Sequence, residues 1–373
     1  MIIEQLLERM RPDLYSFFRP FIFKLDPETA HHLVIRGLAI MQSIPVIKKR
    51  FEQQTSLYDQ RLTTECLGLT FSNPIGLAAG FDKHAHVYPA LAALGFGFVE
   101  VGTLTPRPQA GNPKPRIFRL ADEQALINRM GFNNKGIEQA KASFSHLPRP
   151  TIPIGINLGK NKDTPNELAT EDYVQGLSLL YPYGDYFVIN VSSPNTKGLR
   201  KLQDQAALSQ LLTSLLTKRA ELTEQTNIKR PLLLKIAPDL SEEELSKIVT
   251  TAIESKIDGI IATNTTLSRD GLKSAHKEEL GGLSGKPLNT HSTKIIRSIY
   301  RITQGKLPIV GVGGVFSGQD AYEKIRAGAN LIQIYTSMIY HGPFAAKMIT
   351  QQLLELLIRD QVSSISEIVG VDA

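Results

Sequence analysis

From about residue 73 onward, short apolar runs rich in Val, Ile, Leu and Gly alternate along the chain with polar residues and amphipathic helical stretches. Eight such runs occur: NPIGLAAG, GFVEVGT, PIGINLG, YFVINVS, LLLKIAP, GIIATNT, PIVGVGG and LIQIYTS. Nearly continuous apolar strands separated by helices are typical of a parallel sheet buried on both faces, and eight such units close a barrel. The pattern therefore predicts an α/β fold, a (β/α)8 TIM barrel.

The helices between these runs carry their own signals. Ser241 and Glu244 have the spacing of a capping box at a helix start. The apolar stripe that follows comprises Leu245, Ile248, Val249 and Ile253, and a second helix repeats Leu208, Leu211, Leu212 and Leu215 at helical spacing. Both stripes, and the run LLELLI near the end of the chain, indicate packing against the barrel.

The segment before the barrel is helical and amphipathic. Asp26 is a predicted N-cap with Pro27 at the first helical position, and one face carries Ala30, Leu33, Val34, Leu38 and Met41. Upstream, LYSFFRPFIFKL interleaves aromatic residues with Arg19 and Lys24, and the first fifty residues hold eight Lys/Arg against five Asp/Glu. This composition fits a helix lying in an anionic membrane interface, and it fits equally a helix docked on the barrel.

Composition narrows the class of protein further. Hydrophobic residues make up 42% and charged residues 21% of the 373 residues, which is ordinary for a globular protein. The net charge of +6 fits a solvated surface, an anionic ligand or a membrane, and no nucleic-acid-binding motif accompanies it, so we expect no nucleic-acid partner. The single cysteine, Cys66, excludes an intrachain disulfide, and without CxxC or clustered His/Cys we predict no metal site and expect a reducing cytoplasm. No apolar run is long enough to span a bilayer, and the start lacks a secretory signal pattern.

Chemistry in such barrels lies at the carboxyl ends of the strands. The residues that follow the eight predicted strands are Lys83; Thr103; Asn157; Asn190 with Ser193 and Asn195; Lys235; Thr263 with Asn264 and Thr265; Gly313 with Gly314; and Tyr335 with Thr336. One such side chain alone is typical of a turn or cap, but all eight strand ends converge on one rim. Asp82 is the one acid beside a candidate catalytic residue there.

The predicted rim favours some chemistries over others. It has no HxH, HExxH or paired carboxylates, which argues against a metal hydrolase or a two-carboxylate glycosidase. Amides, hydroxyls and ammonium groups suit a planar heterocycle and an anionic substrate. The stretch GVGGVFSGQDAYEKI, from strand through glycine turn into helix, reads as a phosphate cradle, although a glycine pair alone also marks a tight turn. A phosphorylated cofactor is the favoured interpretation.

Ten motifs spread over roughly residues 20 to 350 are similar to those of one family: GLAAGFDK, EVGTLTPRPQAGNPKPRIFRL, INRMGFNN, GINLGKNKDT, NVSSPNTKGLR, KIAPDLSEEE, ATNTT, GGLSGKPL, GVGGV and QIYTS. The chain resembles the quinone-dependent, class 2 dihydroorotate dehydrogenases. The resemblance implies FMN as cofactor and oxidation of dihydroorotate to orotate in pyrimidine biosynthesis. It also implies hydride transfer to FMN and electron transfer to ubiquinone or menaquinone.

The resemblance also implies roles for individual residues. Flavin contacts would be Ala79, Gly80, Lys83, Thr103, Asn157, Asn190, Lys235, Thr263, Gly285, Gly314, Tyr335 and Thr336. Substrate contacts would be Lys83, at the carboxylate, with Asn128, Arg129, Met130, Gly131, Phe132, Asn190, Asn195, Asn264 and Thr265. Ser193 would be the base that takes the proton from C5, with a path past Thr196 and Phe132. His31, Arg119 and Tyr335 would lie near the quinone, and either His31 or the adjoining His32 could instead be a plain surface histidine.

The class within the family depends on two features. Relatives that use fumarate or NAD carry cysteine as the base, whereas this chain has Ser193, and Cys66 lies far outside the rim motifs. The class 2 resemblance also implies that residues 1–60 form a helical extension for membrane association and a quinone tunnel, ahead of an FMN-binding barrel over residues 61–373. We therefore expect a peripheral protein on the cytoplasmic side of the inner membrane. A class 1-type enzyme or related flavin barrel with a soluble acceptor is the alternative, and a flavin-binding sensor without activity is a more distant one.

Overall fold

The computed structural model describes residues 12–373. Eight parallel strands form a closed barrel. In the order in which they pair around it, they are β10 Gly259–Ala262, β12 Ile309–Val312, β13 Leu331–Ile334, β3 Ile75–Leu77, β4 Phe98–Leu104, β7 Ile154–Leu158, β8 Tyr186–Asn190 and β9 Leu232–Ile236. Each lies within one of the eight apolar runs, and the predicted (β/α)8 barrel is confirmed.

The helices surround the barrel and precede it. In the described residues they are α1 Pro12–Ile22, α2 Pro27–Ser43, α3 Pro45–Thr55, α4 Tyr88–Ala92, α5 Gly136–His146, α6 Ala169–Leu180, α7 Gln205–Thr226, α8 Glu242–Glu254, α9 Asn289–Thr303, α10 Gly318–Arg326, α11 Thr336–His341 and α12 Ala345–Arg359. The Ser241–Glu244 capping box forms as predicted at the start of α8. Ile253 was wrongly placed in the buried stripe of that helix, because it faces solvent with 42% exposure.

The lower half of the barrel interior is packed with large apolar side chains. Gly76 lies on β3 where the Phe98 ring fills the space, so that a Cβ on Gly76 would lie 2.4 Å from the ring. A hairpin of β1 Thr64–Cys66 and β2 Leu69–Phe71 closes this end, with Cys66 and Phe71 buried against the interior. The packed lower half leaves the carboxyl-terminal end of the barrel as the open one.

A second, antiparallel sheet stands beside the open end. It consists of β5 Ile117–Leu120, β6 Ala125–Asn128 and β11 Gly282–Gly285, in the order β11, β6, β5. Neither this sheet nor the hairpin was predicted, because strands of three or four residues give too short a pattern to recognise. The sheet places Arg119, Asn128 and Gly285 near the barrel mouth.

The helices before the barrel dock on it through one face of α2. Asp26 caps this helix by accepting a hydrogen bond from the Thr29 N–H, as predicted. Ala30, Leu38 and Met41 are buried, but Leu33 and Val34 are 50% and 42% exposed, so the predicted apolar face is only partly covered.

A buried ion pair fixes α2 to the barrel. The Arg116 guanidinium donates to both carboxylate oxygens of Glu28, at 3.1 and 2.7 Å. Both residues are buried in the contact between α2 and the loop before β5.

The predicted extension over residues 1–60 extends at its start beyond the described residues. Among the helices of residues 12–373, none combines the length and the apolar composition that one bilayer crossing requires. Helices α2 and α3 reach that length and composition only as a pair, and the pair is bent by 106°.

Candidate functional site

A cavity of about 620 Å³ opens at the carboxyl ends of the barrel strands. Its inner end is lined by polar side chains of the rim, among them Asn190, Ser193 and Lys235. Its outer end is lined by apolar side chains of α1 and α2, such as Ile22 and Met41. One continuous space therefore connects the barrel mouth with the helices that precede the barrel.

Most of the predicted site residues line this cavity. They are His31, Ala79, Gly80, Lys83, Thr103, Arg119, Asn128, Met130, Gly131, Phe132, Asn190, Ser193, Asn195, Lys235, Thr263, Asn264, Thr265, Gly285, Gly314, Tyr335 and Thr336. These 21 residues come from chain segments between His31 and Thr336. They meet because the barrel brings its strand ends to one rim and because α2 and the antiparallel sheet lie beside that rim.

Three predicted residues do not line the cavity. The Arg129 side chain turns outward, donating to Glu279 Oε2 at 2.7 Å and lying over the Phe118 ring. Asn157 is wholly buried beneath the cavity floor. Thr196 is buried behind the rim, and its Oγ1 has no hydrogen-bond partner within residues 12–373.

Beneath the cavity lies a carboxylate that the sequence reasoning missed. Glu100 on β4 is fully buried in the barrel interior, and its oxygens accept hydrogen bonds from Asn157 Nδ2 at 2.8 Å and Gln333 Nε2 at 2.6 Å. Asn157 Oδ1 in turn accepts from Thr103 Oγ1 and from Asn190 Nδ2. Glu100 thereby orients Asn157, and through it two side chains of the cavity floor. A charged residue inside an otherwise apolar strand, as in GFVEVGT, was the available signal.

Lys235 brings a positive charge to the cavity floor. Its side chain is buried, and within the described part of the chain it makes no hydrogen bond or ion pair. Burial lowers the pKa of the Lys235 ammonium, and the nearby Glu100 carboxylate acts in the opposite direction. Gln333, another lining residue, has a buried Oε1 without a partner in residues 12–373. The floor thus offers a donor and an acceptor to whatever fills the cavity.

The loop after β8 carries Ser193 into the cavity wall. Ser193 Oγ accepts a hydrogen bond from the Asn195 N–H at 3.3 Å, which is the local turn contact expected of a Ser-Pro segment. Asn195 Nδ2 donates to Asn128 Oδ1 at 3.3 Å, so the loop is joined to β6 of the antiparallel sheet. The hydroxyl of Ser193 therefore lies among amides that come from separate elements.

Lys83 and Asp82 have different parts in the loop after β3. Asp82 is buried and accepts hydrogen bonds from the N–H groups of His84, His86 and Val87, so it caps the loop and does not face the cavity. Lys83 lines the cavity and donates to the Gly80 carbonyl. Burial lowers the pKa of Lys83 to about 8, which leaves a cation that can lose its proton in the neutral to mildly alkaline range.

The predicted phosphate cradle needs a correction. The N–H groups of Phe316 and Ser317 already donate to Asp320 Oδ2, so the first turn of α10 is capped by the chain itself. The cavity instead reaches the glycine turn that precedes α10, at Gly313 and Gly314, and the start of α11. Gly314 adopts a φ of +71°, and a Cβ there would lie 2.5 Å from the Asn289 nitrogen, so only glycine fits.

A buried lysine that was also missed supports this turn from behind. Lys324 on α10 is fully buried and donates to Ser292 Oγ at 2.6 Å and Thr293 Oγ1 at 2.7 Å. Ser292 donates to the carbonyl of Gly313. Burial lowers the pKa of Lys324 to about 7.

The outer end of the cavity is apolar with a few polar groups. His31 lines it and lies edge-on to the Phe81 ring, whereas His32 does not line it and has its Nε2 3.6 Å from Glu28 Oε1. Burial lowers the pKa of His31 well below its ordinary value, and the Lys83 charge acts in the same direction, so His31 is neutral at pH 7. Arg119 donates to the carbonyls of Phe23 and Leu25 and holds the connection between α1 and α2 against β5.

Cys66 has no place in this site. It lies in the hairpin that closes the opposite end of the barrel, and burial raises the pKa of its thiol to about 12. A thiol of that kind does not form the reactive thiolate at neutral pH.

The chain is similar in sequence and in structure to known dihydroorotate dehydrogenases. The sequence model described as dihydroorotate dehydrogenase matches residues 61–357. Relatives named dihydroorotate dehydrogenase (quinone) include those of Deinococcus deserti, 48% identical over 95% of this chain and 98% of the relative, and Christiangramia forsetii, 50% identical over 91% and 98%. The crystal structure of ligand-free DHODH from Eimeria tenella is 42% identical, with a TM-score of 0.85 over 93% of this chain and 99% of that one.

Proposed function

The chain belongs to the dihydroorotate dehydrogenase family, and from that premise we propose how its own residues carry out the quinone-linked reaction after which its relatives are named. The enzyme oxidises dihydroorotate to orotate in pyrimidine biosynthesis and uses a quinone as electron acceptor. The observation that carries the proposal is the single cavity with a polar end at Ser193 and an apolar end at α1 and α2. A soluble acceptor such as fumarate or NAD would have no need of the apolar end.

The cavity floor fits a flavin mononucleotide. Among residues 12–373, Lys235 provides a cation without a partner and Gln333 Oε1 is a buried acceptor without a donor, so a bound heterocycle with both kinds of group would satisfy them. The glycine turn at Gly314 and the start of α11 offer backbone N–H groups for a phosphate. Thr103, Asn190, Thr263, Gly285, Tyr335 and Thr336 complete the residues that would hold it. An FMN held by these residues would supply two-electron chemistry, as acceptor of the hydride that leaves C6 of the substrate and as donor of both electrons to the quinone.

The substrate would lie between Lys83 and the amides of the rim. The Lys83 ammonium is placed to pair with the carboxylate of dihydroorotate, which is the only full charge on that molecule. Asn128, Asn195 and Asn264 offer donors and acceptors to the ring amide groups. A site built from such groups rejects ring systems that cannot complete the hydrogen bonds.

Ser193 is the proposed base, because it is the hydroxyl that the β8 loop carries into the cavity wall. Its Oγ would take the proton from C5, and a hydroxyl does this only if its own proton can leave. The buried Thr196 Oγ1 has no partner within residues 12–373, and it is three residues along the same loop. It is therefore available as the next carrier, past the Phe132 ring.

The test of this assignment is Ser193→Ala in the full-length protein. We expect the variant to keep its FMN, while anaerobic stopped-flow measurement shows flavin reduction by dihydroorotate slowed by about 10²-fold or more. The same substitution at Ser145, an exposed position on α5, is the control and should change nothing. Unchanged reduction kinetics in Ser193→Ala would remove Ser193 from the role of base.

The N-terminal helices are proposed to lie on a membrane surface, on the cytoplasmic side of the inner membrane. Helix α1 exposes Phe17, Phe18 and Phe21 at 67%, 48% and 59%, next to Arg19 and Lys24. Contiguous exposed aromatic groups beside basic ones are typical of helices at an anionic interface. Quinone dissolved in the bilayer would then enter the apolar end of the cavity, near His31, Arg119 and Tyr335.

A triple variant of Phe17, Phe18 and Phe21 to Ser tests this placement. We expect loss of co-sedimentation with anionic phospholipid vesicles and slower turnover with a vesicle-embedded quinone, but normal flavin reduction by dihydroorotate. Tyr58→Ser, at a side chain 82% exposed outside these helices, is the matched control. Vesicle binding that is the same in the triple variant and the control would contradict the proposal.

A further inference from the structure

Arg200 joins three of the loops that form the rim. It lies in the short turn Leu199–Gln203 that follows the β8 loop. Its Nε donates to the Ser192 carbonyl at 3.1 Å, and its Nη2 donates to the Thr265 carbonyl at 3.2 Å. Its Nη1 donates to Asp239 Oδ2 at 2.8 Å, in the loop after β9. One guanidinium therefore contacts the loops after β8, β9 and β10.

Asp239 fixes both the guanidinium and the third loop. Its Oδ1 accepts a hydrogen bond from the Thr266 hydroxyl, and both of its oxygens lie within 3.1 Å of the Leu267 nitrogen, which donates to them. The contacts of Asp239 thus continue directly from those of Arg200 along the β10 loop. The two residues act as one clasp, which we call the Arg200–Asp239 clasp.

The clasp holds the neighbours of the proposed catalytic groups. Ser192, whose carbonyl it fixes, immediately precedes Ser193, and Thr265 is itself a proposed substrate contact. Asn264 Nδ2 donates to Ser192 Oγ at 2.9 Å, which links the same two loops on the cavity side. Arg200 and Asp239 do not line the cavity themselves.

We propose that Arg200 is a positioning residue, which sets the place of the Ser193 hydroxyl relative to the substrate held by Asn264 and Thr265. The proposal rests on the assignment of Ser193 as the base. A displacement of about 1 Å between a base and its substrate can slow a reaction by about 10²-fold. The clasp fixes the backbone carbonyls of both loops, at Ser192 and Thr265, and so limits this displacement together with the Asn264–Ser192 hydrogen bond.

An arginine is needed because three acceptors lie in different directions around one planar group. A lysine keeps the charge and can satisfy the carboxylate, but its single nitrogen cannot also reach both carbonyls. The side chains of Arg200 and Asp239 are 23% and 24% exposed, and Arg200→Lys leaves neither charge of this partly buried ion pair without its counter-charge. The Arg200→Lys variant is therefore expected to fold and to bind FMN, but not to hold the Ser193 hydroxyl in its place relative to the substrate.

The experiment is a double-mutant cycle with Arg200→Lys and Ser193→Ala in the full-length holoenzyme. Anaerobic stopped-flow reduction gives a limiting rate constant and a half-saturation concentration of dihydroorotate. We expect Arg200→Lys alone to lower the limiting rate constant by about 10- to 100-fold. In the Ser193→Ala background the same substitution should change that constant by less than about threefold, because the group it positions is gone.

The half-saturation concentration distinguishes positioning from a general loss of structure. Thr265 is a proposed substrate contact that is present in both backgrounds. Arg200→Lys should therefore raise the half-saturation concentration of dihydroorotate by a similar factor in each background. Arg219→Lys is the control. Arg219 on α7 pairs with Asp258, the residue before β10, at the other end of the barrel, and these two side chains are 12% and 18% exposed. This variant should leave both constants unchanged.

Two results would overturn the proposal. One is a limiting rate constant that is unchanged in Arg200→Lys although it is strongly lowered in Ser193→Ala. In that case the assignment of Ser193 as the base is unaffected. The other is a limiting rate constant that Arg200→Lys lowers by the same factor in both backgrounds. A loss of FMN together with a lower unfolding temperature counts with it, because either finding would make Arg200 a structural residue only. If Ser193→Ala itself reacts normally, the base assignment fails first, and that outcome is seen in the cycle independently of Arg200.

Discussion

Substrate binding should weaken as the pH rises through the titration of Lys83. The Lys83 ammonium lines the cavity where the substrate carboxylate is proposed to bind. Burial lowers the pKa of Lys83 to about 8, from an ordinary value of 10.5. The charged form, which pairs with a carboxylate, exists below that pKa and is lost above it. The effect of pH on binding therefore has one sign: affinity is greatest below pH 8.

The size of the effect follows from the same pKa. With a pKa of about 8, about nine-tenths of Lys83 is protonated at pH 7 and about one-tenth at pH 9. If only the ammonium form binds dihydroorotate, the half-saturation concentration rises about tenfold over that range. An ordinary lysine would remain almost fully protonated and would show almost no change.

The assay is anaerobic single-turnover reduction at several pH values. The half-saturation concentration reports binding, whereas the limiting rate constant reports proton removal by Ser193, so the two titrations are read separately. Lys83→Met should bind substrate weakly at every pH and show no step between pH 7 and 9. Lys229 is an exposed lysine that pairs with Asp258 away from the cavity. Its Lys229→Met variant should show the same rise of the half-saturation concentration between pH 7 and 9 as the wild-type protein. A half-saturation concentration that is constant from pH 7 to 9 in the unchanged protein would refute the reasoning.

Two further expectations concern stability. Gly76→Ala should destabilise the barrel by about 1–3 kcal/mol, because its Cβ would lie 2.4 Å from the Phe98 ring; a lower thermal unfolding temperature would show this, and an unchanged one would contradict it. Glu28→Gln should lower the free energy of unfolding by about 3 kcal/mol or more, because it leaves the Arg116 guanidinium buried without its counter-charge. Limited proteolysis should then cut within α2, and equal resistance to that of the unchanged protein would show that the ion pair does not fix the helix.

The barrel could be predicted from sequence because its signal is repeated. Eight apolar runs, each followed by a helical pattern, leave little choice of fold, and all eight became barrel strands. The rim residues followed from the rule that strand ends converge, and the others, Arg129 among them, were implied by the family resemblance; neither source gives side-chain direction. Direction is where the predictions differ from the structure: Arg129 turns outward to Glu279, and Asn157 points down to Glu100.

The features that escaped prediction depend on contacts between residues far apart in the chain. Glu100 stands in an apolar run and reveals its role only through Gln333, more than two hundred residues away. The first turn of α10 was mistaken for an open anion site because the capping by Asp320 depends on a side-chain direction that sequence does not supply. The strands of the small antiparallel sheet are too short to carry a periodic pattern.

The connection between the polar and apolar ends of one cavity is the central feature of the proposed quinone-linked reaction. Dihydroorotate should be added anaerobically to the purified yellow protein, followed by a ubiquinone analogue, fumarate or NAD in separate samples. We expect dihydroorotate to bleach the flavin and the quinone analogue alone to restore its colour rapidly. Rapid reoxidation by fumarate or NAD, or a protein that binds no flavin even after reconstitution, would contradict the account.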